Sequence, residues 1–195
     1  MLILASGSEI RATLLRQARI PFETVIPRVD EESYRAALAA EGASPHDQAD
    51  ALAELKTAKV AAKHQGLVLG CDQILALGEE IFAKPATPDV ARAHLAQLSG
   101  KTHKLFSAAV LYEDGKPIWR HVGTARMSMR DLSPAYIDDY VTRNWESIRH
   151  AVGCYKLEEE GIRLFTAIEG SHFNILGLPM LELIAYLTRR GTLAS

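Results

Sequence analysis

The sequence predicts an α/β fold built on a mixed sheet. Apolar runs of strand length alternate with segments of helical periodicity along most of the chain, a pattern typical of this fold class. Two long strand-like runs, 103–112 and 117–129, flank the turn sequence Glu113-Asp114-Gly115. They predict a hairpin, so the sheet cannot be wholly parallel. A chain of 195 residues is long enough for one large domain or two closely joined lobes.

The elements follow in order from local patterns. Leu2–Ala5 is an apolar run of strand type, Ser6-Gly7-Ser8 is a turn, and Glu9–Gln17 has its apolar residues on one helical face. Ser44, Thr87 and Ser133 each precede a helical pattern and are predicted N-caps. The further predicted strands cover residues 22–26, 67–77 and 162–168, and a turn that begins at Gly78 leads into residues 80–83. The further predicted helices cover residues 33–41, 45–64, 88–98, 133–143 and 179–190.

Charge and composition exclude several classes of protein. The chain is 48% hydrophobic and 24% charged, with a formal net charge of −2. Neither value indicates a surface for nucleic-acid polymers or anionic membranes. The N-terminus lacks the basic and apolar regions of a signal peptide, and no apolar run approaches the ~20 residues of a membrane span. The two cysteines, Cys71 and Cys154, are expected to be reduced thiols of a cytoplasmic protein.

The segment LASGSEIR, residues 4–11, is the first candidate for chemistry. A strand leads through Ser6-Gly7-Ser8 into a helix whose unpaired N–H groups suit a phosphate group. Gly7 allows close approach of a ligand to the backbone, and Arg11 can grip phosphate oxygens in a fork. The alternative is that Ser8 only caps the helix and Arg11 is a surface charge.

Carboxylates mark two further segments. Asp30, Glu31 and Glu32 follow a strand and could hold Mg²⁺ or Mn²⁺ through hard oxygen ligands, or could simply begin a helix. Asp72 lies inside the apolar run 67–77, where a carboxylate is costly unless it is paired, metal-bound or exposed at the strand end. Asp72 is therefore a candidate metal ligand or general base. The alternative is that its side chain only caps a turn at the end of the strand.

Two lysines and a glycine-rich block complete the candidates. Lys56 lies on the best predicted helix and Lys84 precedes Pro85; each could bind phosphate or extend into solvent. Residues 153–179 combine glycines with polar residues, as in loops folded against a ligand. The sequence contains no Walker, dinucleotide-binding, serine-hydrolase or paired-cysteine metal motif.

Taken in order, these segments resemble the Maf family of nucleotide pyrophosphatases, and the resemblance covers nearly the whole chain. The matching segments are LASGSEIRATLL near the start, Val29-Asp30-Glu31, the helix with Lys56, the strand with Asp72, Lys84-Pro85, Leu98-Ser99-Gly100, residues 153–161, and Asn174 with Gly177-Leu178-Pro179.

The resemblance implies a single domain over residues 1–195, with an elongated, curved mixed sheet flanked by helices and two lobes around a cleft. It implies hydrolysis of a nucleoside triphosphate between the α- and β-phosphates, with Mg²⁺ or Mn²⁺ as cofactor. Asp72 matches the family's proposed proton acceptor, and Glu31 with Asp72 matches a metal site. The phosphate-binding residues implied are Ser6, Ser8, Arg11, Lys56 and Lys84. The sequence leaves a homodimer open.

Three positions bear on the base. Gln73 and Glu158 match the branch of the family that acts on 7-methyl-GTP, whereas the branch for dTTP and UTP has Thr and Gln there. A carboxylate at 158 can accept the two N–H groups of guanine. Ile10 departs from that branch, which has Trp. The resemblance thus predicts a guanine-type nucleotide, with dTTP and UTP as the alternative. A nucleotide-binding regulator of cell division without turnover is the competing hypothesis.

Overall fold

The computed structural model describes residues 1–194, which form seven strands in one mixed sheet together with seven α-helices. The strands are β1 (Leu2–Ala5), β2 (Phe22–Thr24), β3 (Leu67–Leu77), β4 (Glu80–Phe82), β5 (Thr102–Glu113), β6 (Lys116–Met129) and β7 (Phe165–Glu169). The helices are α1 (Glu9–Gln17), α2 (Glu31–Ala40), α3 (Pro45–Ala61), α4 (Pro88–Leu98), α5 (Pro134–Ile148), α6 (His172–Ile175) and α7 (Met180–Arg189). The α/β class and the mixed sheet are confirmed.

The sheet order is β2-β1-β3-β5-β6-β7, with β4 paired to β3. β1 runs parallel to both β2 and β3, whereas β4 and β7 are antiparallel to their neighbours. In the parallel pair, Ala5 lies opposite Gly70. Ser6 therefore leaves β1 beside the part of β3 that carries Cys71 and Asp72.

The hairpin predicted from the sequence is present. β5 ends at Glu113 and β6 begins at Lys116, so the connection has only two residues. Asp114 has φ 47° and Gly115 has φ 79°, and two consecutive positive φ angles are what the tightest hairpin turns require.

The chain divides into two compact units. The first contains Met1–Gln73, Phe106–Gly123 and the segment from Ser171 onward; the second contains Ile74–Leu105 and Thr124–Gly170. The core of the first unit is a cluster of buried apolar side chains from β1, α1, β3, β5 and α7. Its members include Leu4, Leu15, Leu69, Leu111, Leu183 and Leu187. In the second unit, α4 packs on α5 and contributes Leu95 and Leu98 to the interior.

The three predicted N-caps are confirmed. The hydroxyls of Ser44, Thr87 and Ser133 accept hydrogen bonds from backbone N–H groups in the first turns of α3, α4 and α5. Among residues 1–194, none of the helices combines the length and apolar character that a bilayer crossing would need.

Several predicted boundaries differ from the structure: β2 ends at Thr24 rather than at residue 26, and α5 continues to Ile148 rather than ending near residue 143.

The start of β7 is the predicted strand boundary with a clear structural reason for its error. Residues 160–164 form a 3₁₀ helix and β7 begins only at Phe165, whereas the apolar pattern predicted a strand from residue 162. Gly161 packs so closely on the backbone of Lys156 that a Cβ there would overlap the Lys156 carbonyl. This tight local fold, and the ion pairs of Glu160 with Arg143 and Arg163, override the strand pattern.

Candidate active site

Arg11 is a buried cation without an acidic partner. Arg11 is 9% exposed, and within residues 1–194 no carboxylate forms a salt bridge with it. Nε donates to the carbonyl of Gly177 at 2.8 Å, and Nη1 donates to Ser6 Oγ at 3.2 Å and to the carbonyl of Cys71 at 3.0 Å. We name this arrangement, Arg11 with Ser6, Cys71 and Gly177, the Arg11 clamp. A buried charge normally has a counter-ion, so the clamp is suited to an anionic ligand.

The turn before α1 adds polar groups to the clamp. Ser6 is buried, and its hydroxyl accepts from the backbone N–H of Ser8 at 3.2 Å as well as from Arg11. Ser8 occupies the N-cap position of α1, but its hydroxyl makes no capping hydrogen bond. The simple capping role considered for Ser8 is therefore absent from the structure. The half-buried Ser8 hydroxyl and the N–H groups of the first turn are suited to an anion.

Lys56 lies between two carboxylates. Its ammonium group is 2.6 Å from Asp72 Oδ1 and 2.9 Å from Glu31 Oε2. The side chains of Lys56 and Asp72 are 9% and 7% exposed, whereas that of Glu31 is 43% exposed. The second oxygen of Asp72, Oδ2, is buried without a hydrogen-bond partner. An unpaired buried carboxylate oxygen can accept a proton or bind a cation.

Close packing of α3 on β3 produces this pairing. A Cβ at Gly70 would overlap the Thr57 hydroxyl and crowd the carbonyl of Ala53. Glycine at this position therefore lets α3 approach the strand, and Lys56 reaches Asp72, two residues further along β3 on the same face. Between them, Cys71 points to the other face, into the apolar core. Burial raises the pKa of its thiol to about 11, so Cys71 is a core residue and not a nucleophile.

A family profile for Maf-like proteins matches residues 1–190. The chain belongs to this family. The Maf resemblance predicted from its motifs is therefore confirmed.

Curated Maf relatives cover almost the whole chain. A protein of Ruegeria pomeroyi named nucleoside triphosphate pyrophosphatase is 59% identical over 193 residues, which is 98% of this chain and 97% of that protein. A protein of Caulobacter vibrioides with the same name is 48% identical over 97% of this chain and 96% of its own length. A protein of Mesorhizobium japonicum named 7-methyl-GTP pyrophosphatase is 49% identical over 98% and 97%.

A divalent cation fits the carboxylates of this Maf protein. Glu31 and Asp72 approach one Lys56 nitrogen, so two carboxylates lie side by side at this point. Among residues 1–194 there is no cluster of three or more acidic, histidine or cysteine side chains able to hold a metal by itself. Mg²⁺ does not require such a cluster, because it commonly binds through one or two carboxylates together with substrate phosphates and water.

The side chain of Gln73 points to the face opposite Asp72. Its Nε2 donates to Ser107 Oγ at 2.9 Å and to the carbonyls of Asn174 and Ile175, both at 3.0 Å. An amide nitrogen has only two N–H groups, so the donors of Gln73 are already engaged. The expectation that Gln73 reads the base therefore gains no support from this geometry.

The remaining sequence-predicted residues differ in exposure. Lys84 and Glu158 are exposed residues of the second unit. Ile10 is half-buried on α1 of the first unit. The structure thus brings together Ser6 with Arg11, and Glu31 with Lys56 and Asp72.

The acidic run at residues 158–160 is not uniform. Glu159 accepts from the hydroxyl of Ser147 and from Lys156, and Glu160 accepts from Arg143 and Asn144. Glu158 has no hydrogen bond or ion pair among residues 1–194. Its neighbours are thus held by contacts inside the second unit, whereas the Glu158 residue is exposed.

Sequence reasoning missed Ser107. This residue is fully buried on β5, accepts from Gln73 and donates to the carbonyl of Asn174 at 2.5 Å. The available signal was a lone hydroxyl in the apolar run Phe106–Leu111. A buried hydroxyl of this kind must find hydrogen-bond partners.

Proposed function

We propose that this protein is a nucleoside triphosphate pyrophosphatase that hydrolyses a nucleotide to its monophosphate and pyrophosphate. The observation that carries the proposal is the Arg11 clamp, because a buried guanidinium held only by neutral oxygens calls for an anion. The names of the curated relatives support the same activity. A cytoplasmic location, as expected from the sequence, would give access to the nucleotide pool.

In the proposed reaction, the clamp binds phosphate oxygens. Arg11 Nη2 makes no hydrogen bond among residues 1–194, so its two N–H groups are available to the ligand. Ser6, Ser8 and Lys56 would add donors, and Lys84 is assigned to the phosphates from the family motif. Cations and hydroxyls at these positions would stabilise the negative charge of the leaving pyrophosphate.

Asp72 is the proposed proton acceptor. Lys56 donates to Oδ1 and thereby fixes the carboxylate, which leaves Oδ2 directed away from the ion pair and without a partner. A water bound at Oδ2 would lose its proton there while it attacks phosphorus. A Mg²⁺ or Mn²⁺ ion held by Glu31 and Asp72 would supply charge neutralisation of the phosphate oxygens.

The products test the reaction. We expect pyrophosphate and a nucleoside monophosphate, since the Arg11 clamp and the lysines would stabilise the negative charge of pyrophosphate as the leaving group. Phosphorus NMR of a reaction with GTP distinguishes this from cleavage at the terminal phosphate. Orthophosphate with a nucleoside diphosphate would contradict the proposed bond cleavage. If the protein binds GTP, 7-methyl-GTP, dTTP and UTP but hydrolyses none of them, the result would support the alternative, a non-catalytic regulator.

For the base, we propose guanine-type nucleotides, including 7-methyl-GTP, over dTTP and UTP. A carboxylate at Glu158 can accept the N1–H and N2–H₂ groups of guanine, whereas uracil and thymine offer one N–H between carbonyl oxygens. The relative named 7-methyl-GTP pyrophosphatase supports this choice. Ile10 offers no aromatic face for stacking on a methylated purine, so we expect weaker discrimination between 7-methyl-GTP and GTP than a Trp would give.

Glu158→Gln should reduce the preference for GTP over UTP by about 5- to 150-fold in kcat/KM, because a mismatched buried hydrogen bond is worth roughly 1–3 kcal/mol. An amide at this position can donate to a pyrimidine carbonyl. The matched control is Glu159→Gln, which removes the same charge from the neighbouring residue, whose carboxylate is occupied by Ser147 and Lys156. Equal ratios for both variants and the wild type would rule out base reading by Glu158.

A further inference from the structure

We propose that Gln73 is a positioning residue that holds the Arg11 clamp in shape, and that it sets affinity for the phosphates rather than choice of base. The proposal rests on the proposed function, in which Arg11 binds the phosphate end of the nucleotide. It assigns Gln73 a role different from the one expected from the family branch. All of the residues involved belong to the first unit.

The contacts form a continuous chain from Gln73 to Arg11. Gln73 Nε2 donates to the carbonyl of Asn174, which also accepts from the backbone N–H of Gly177 at 3.1 Å. The carbonyl of Gly177 in turn accepts from Arg11 Nε at 2.8 Å. One residue, Gly177, therefore connects the amide of Gln73 to the guanidinium.

A second set of hydrogen bonds fixes the same loop. Ser107 Oγ accepts from Gln73 and donates to the carbonyl of Asn174 at 2.5 Å. Gln73 also binds the carbonyl of Ile175. Three donors thus converge on the Asn174 carbonyl, two of them from side chains. Such a network fixes the orientation of its acceptors more firmly than a single hydrogen bond would.

The loop has little freedom where it meets Arg11. Gly177 has φ +92°, and a Cβ there would be 3.4 Å from both Nε and Nη2 of Arg11. The backbone therefore lies directly against the guanidinium plane. Because no carboxylate among residues 1–194 forms a salt bridge with Arg11, its neutral acceptors, Gly177 on Nε and Ser6 with Cys71 on Nη1, determine where its remaining N–H groups point. A shift of the 174–177 loop would turn the fork away from the phosphates.

The same geometry argues against base reading by Gln73. Its donors are engaged by three protein oxygens, so reading a base would require breaking hydrogen bonds that hold the loop. Alternation along β3 also places Gln73 on the face opposite Asp72. The part of the ligand that depends on Gln73 is therefore the part that Arg11 contacts.

Two variants test the proposal, with inorganic pyrophosphate as the probe. Gln73→Met keeps the length of the side chain but cannot donate, and Ser107→Ala removes a fully buried hydroxyl that no nucleotide can reach. We expect each to weaken pyrophosphate binding, measured by calorimetry, by about tenfold for Gln73→Met and less for Ser107→Ala. The ratio of kcat/KM for GTP and UTP should stay within twofold of wild type.

The matched control is Gln48→Met. Gln48 is also a buried glutamine that donates to a backbone carbonyl, that of Ala43, but it lies outside the clamp. This variant should lower the unfolding temperature without changing pyrophosphate affinity. In an Arg11→Lys background, which lacks the Nε–H bond to Gly177, Gln73→Met should cause no further loss of affinity, because the two residues act as one unit.

Unchanged pyrophosphate affinity in Gln73→Met, or a changed GTP to UTP ratio, would overturn the proposal. Additive losses in the Arg11→Lys background would do so as well. Because pyrophosphate binding is measured without turnover, the result does not depend on the catalytic assignment. Weaker binding in both variants of a protein that hydrolyses no nucleotide would support the clamp and contradict only the proposed function.

Discussion

Asp72→Asn should lower kcat by about 10²- to 10⁴-fold, the usual effect of losing a general base, while the protein stays folded. The amide has the size of the carboxylate but cannot take a proton from water. Asp72 Oδ2 is buried without a hydrogen-bond partner, beside the ion pair that Oδ1 forms with Lys56. It is therefore the atom whose replacement should affect the reaction most directly.

The fold should survive because Lys56 keeps a partner. After the substitution, the ammonium group still pairs with Glu31 at 2.9 Å, and the amide oxygen of Asn can accept from it. We would measure kcat with GTP and the unfolding temperature of the same preparation. A folded variant with more than about a tenth of the wild-type rate would exclude Asp72 as the base.

Asp50→Asn is the matched control for Asp72→Asn. Asp50 also forms a partly buried ion pair from α3, with Arg120 at 2.7 Å, and its side chain is 22% exposed. The substitution removes the same charge from the same unit without touching the Lys56 pair. We expect its kcat to remain within about twofold of wild type. This comparison separates loss of a proton acceptor from loss of an ion pair.

Local sequence signals predicted most of the fold. N-cap residues and the Asp114-Gly115 turn carry their information in a few adjacent residues, and the structure confirms the helices and the hairpin that they predict. The strand and helix segments with long, regular apolar patterns, such as β3 and α1, also have the predicted bounds. Propensity and periodicity were sufficient where tertiary contacts did not oppose them.

The sequence failed where distant contacts determine the local structure. The 3₁₀ helix at residues 160–164 depends on Arg143 and Asn144 of α5, and its apolar pattern alone resembles a strand. The single turn of α6 is too short to produce a helical period. Neither element can be derived from its own residues, because the partners that decide its conformation come from elsewhere in the chain.

The candidate site shows the same division. The sequence singled out Lys56 and Asp72 as charged residues in apolar surroundings and Arg11 as a candidate phosphate ligand, and all three are buried. The sequence could not show that Lys56 bridges Glu31 and Asp72. It also could not show that Gln73 contacts Asn174, which lies 101 positions later in the chain. Directions of side chains depend on which elements pack on β3, and no local pattern contains that information.

We expect His103 to make the free energy of unfolding depend strongly on pH, independently of the proposed reaction. It is 1% exposed, and its Nε2 lies 2.7 Å from the hydroxyl of Tyr155, while Nδ1 is buried without a partner. Burial lowers the pKa of its imidazole to about 4. Among residues 1–194 no carboxylate forms a salt bridge with this imidazole, and burial disfavours its charged form, so the folded protein holds His103 neutral.

The sign follows from the two protonation states. Well above pH 6.5 His103 is neutral in the folded and unfolded chains and contributes no pH dependence. As the pH falls below 6.5, the unfolded chain binds a proton that the folded chain does not accept until about pH 4. The free energy of unfolding should therefore decrease by about 2 kcal/mol between pH 6.5 and 5, and by about 3 kcal/mol by pH 4.

Urea unfolding at pH 7 and pH 5 should reveal this decrease in wild type and show it much reduced in the double variant His103→Phe, Tyr155→Phe. Replacing both partners avoids leaving the Tyr155 hydroxyl unpaired in the interior, which by itself would cost about 1–3 kcal/mol. His64→Gln, which removes an exposed imidazole, should retain the wild-type difference. If the double variant loses as much stability between pH 7 and 5 as wild type does, the pH dependence arises from groups other than His103.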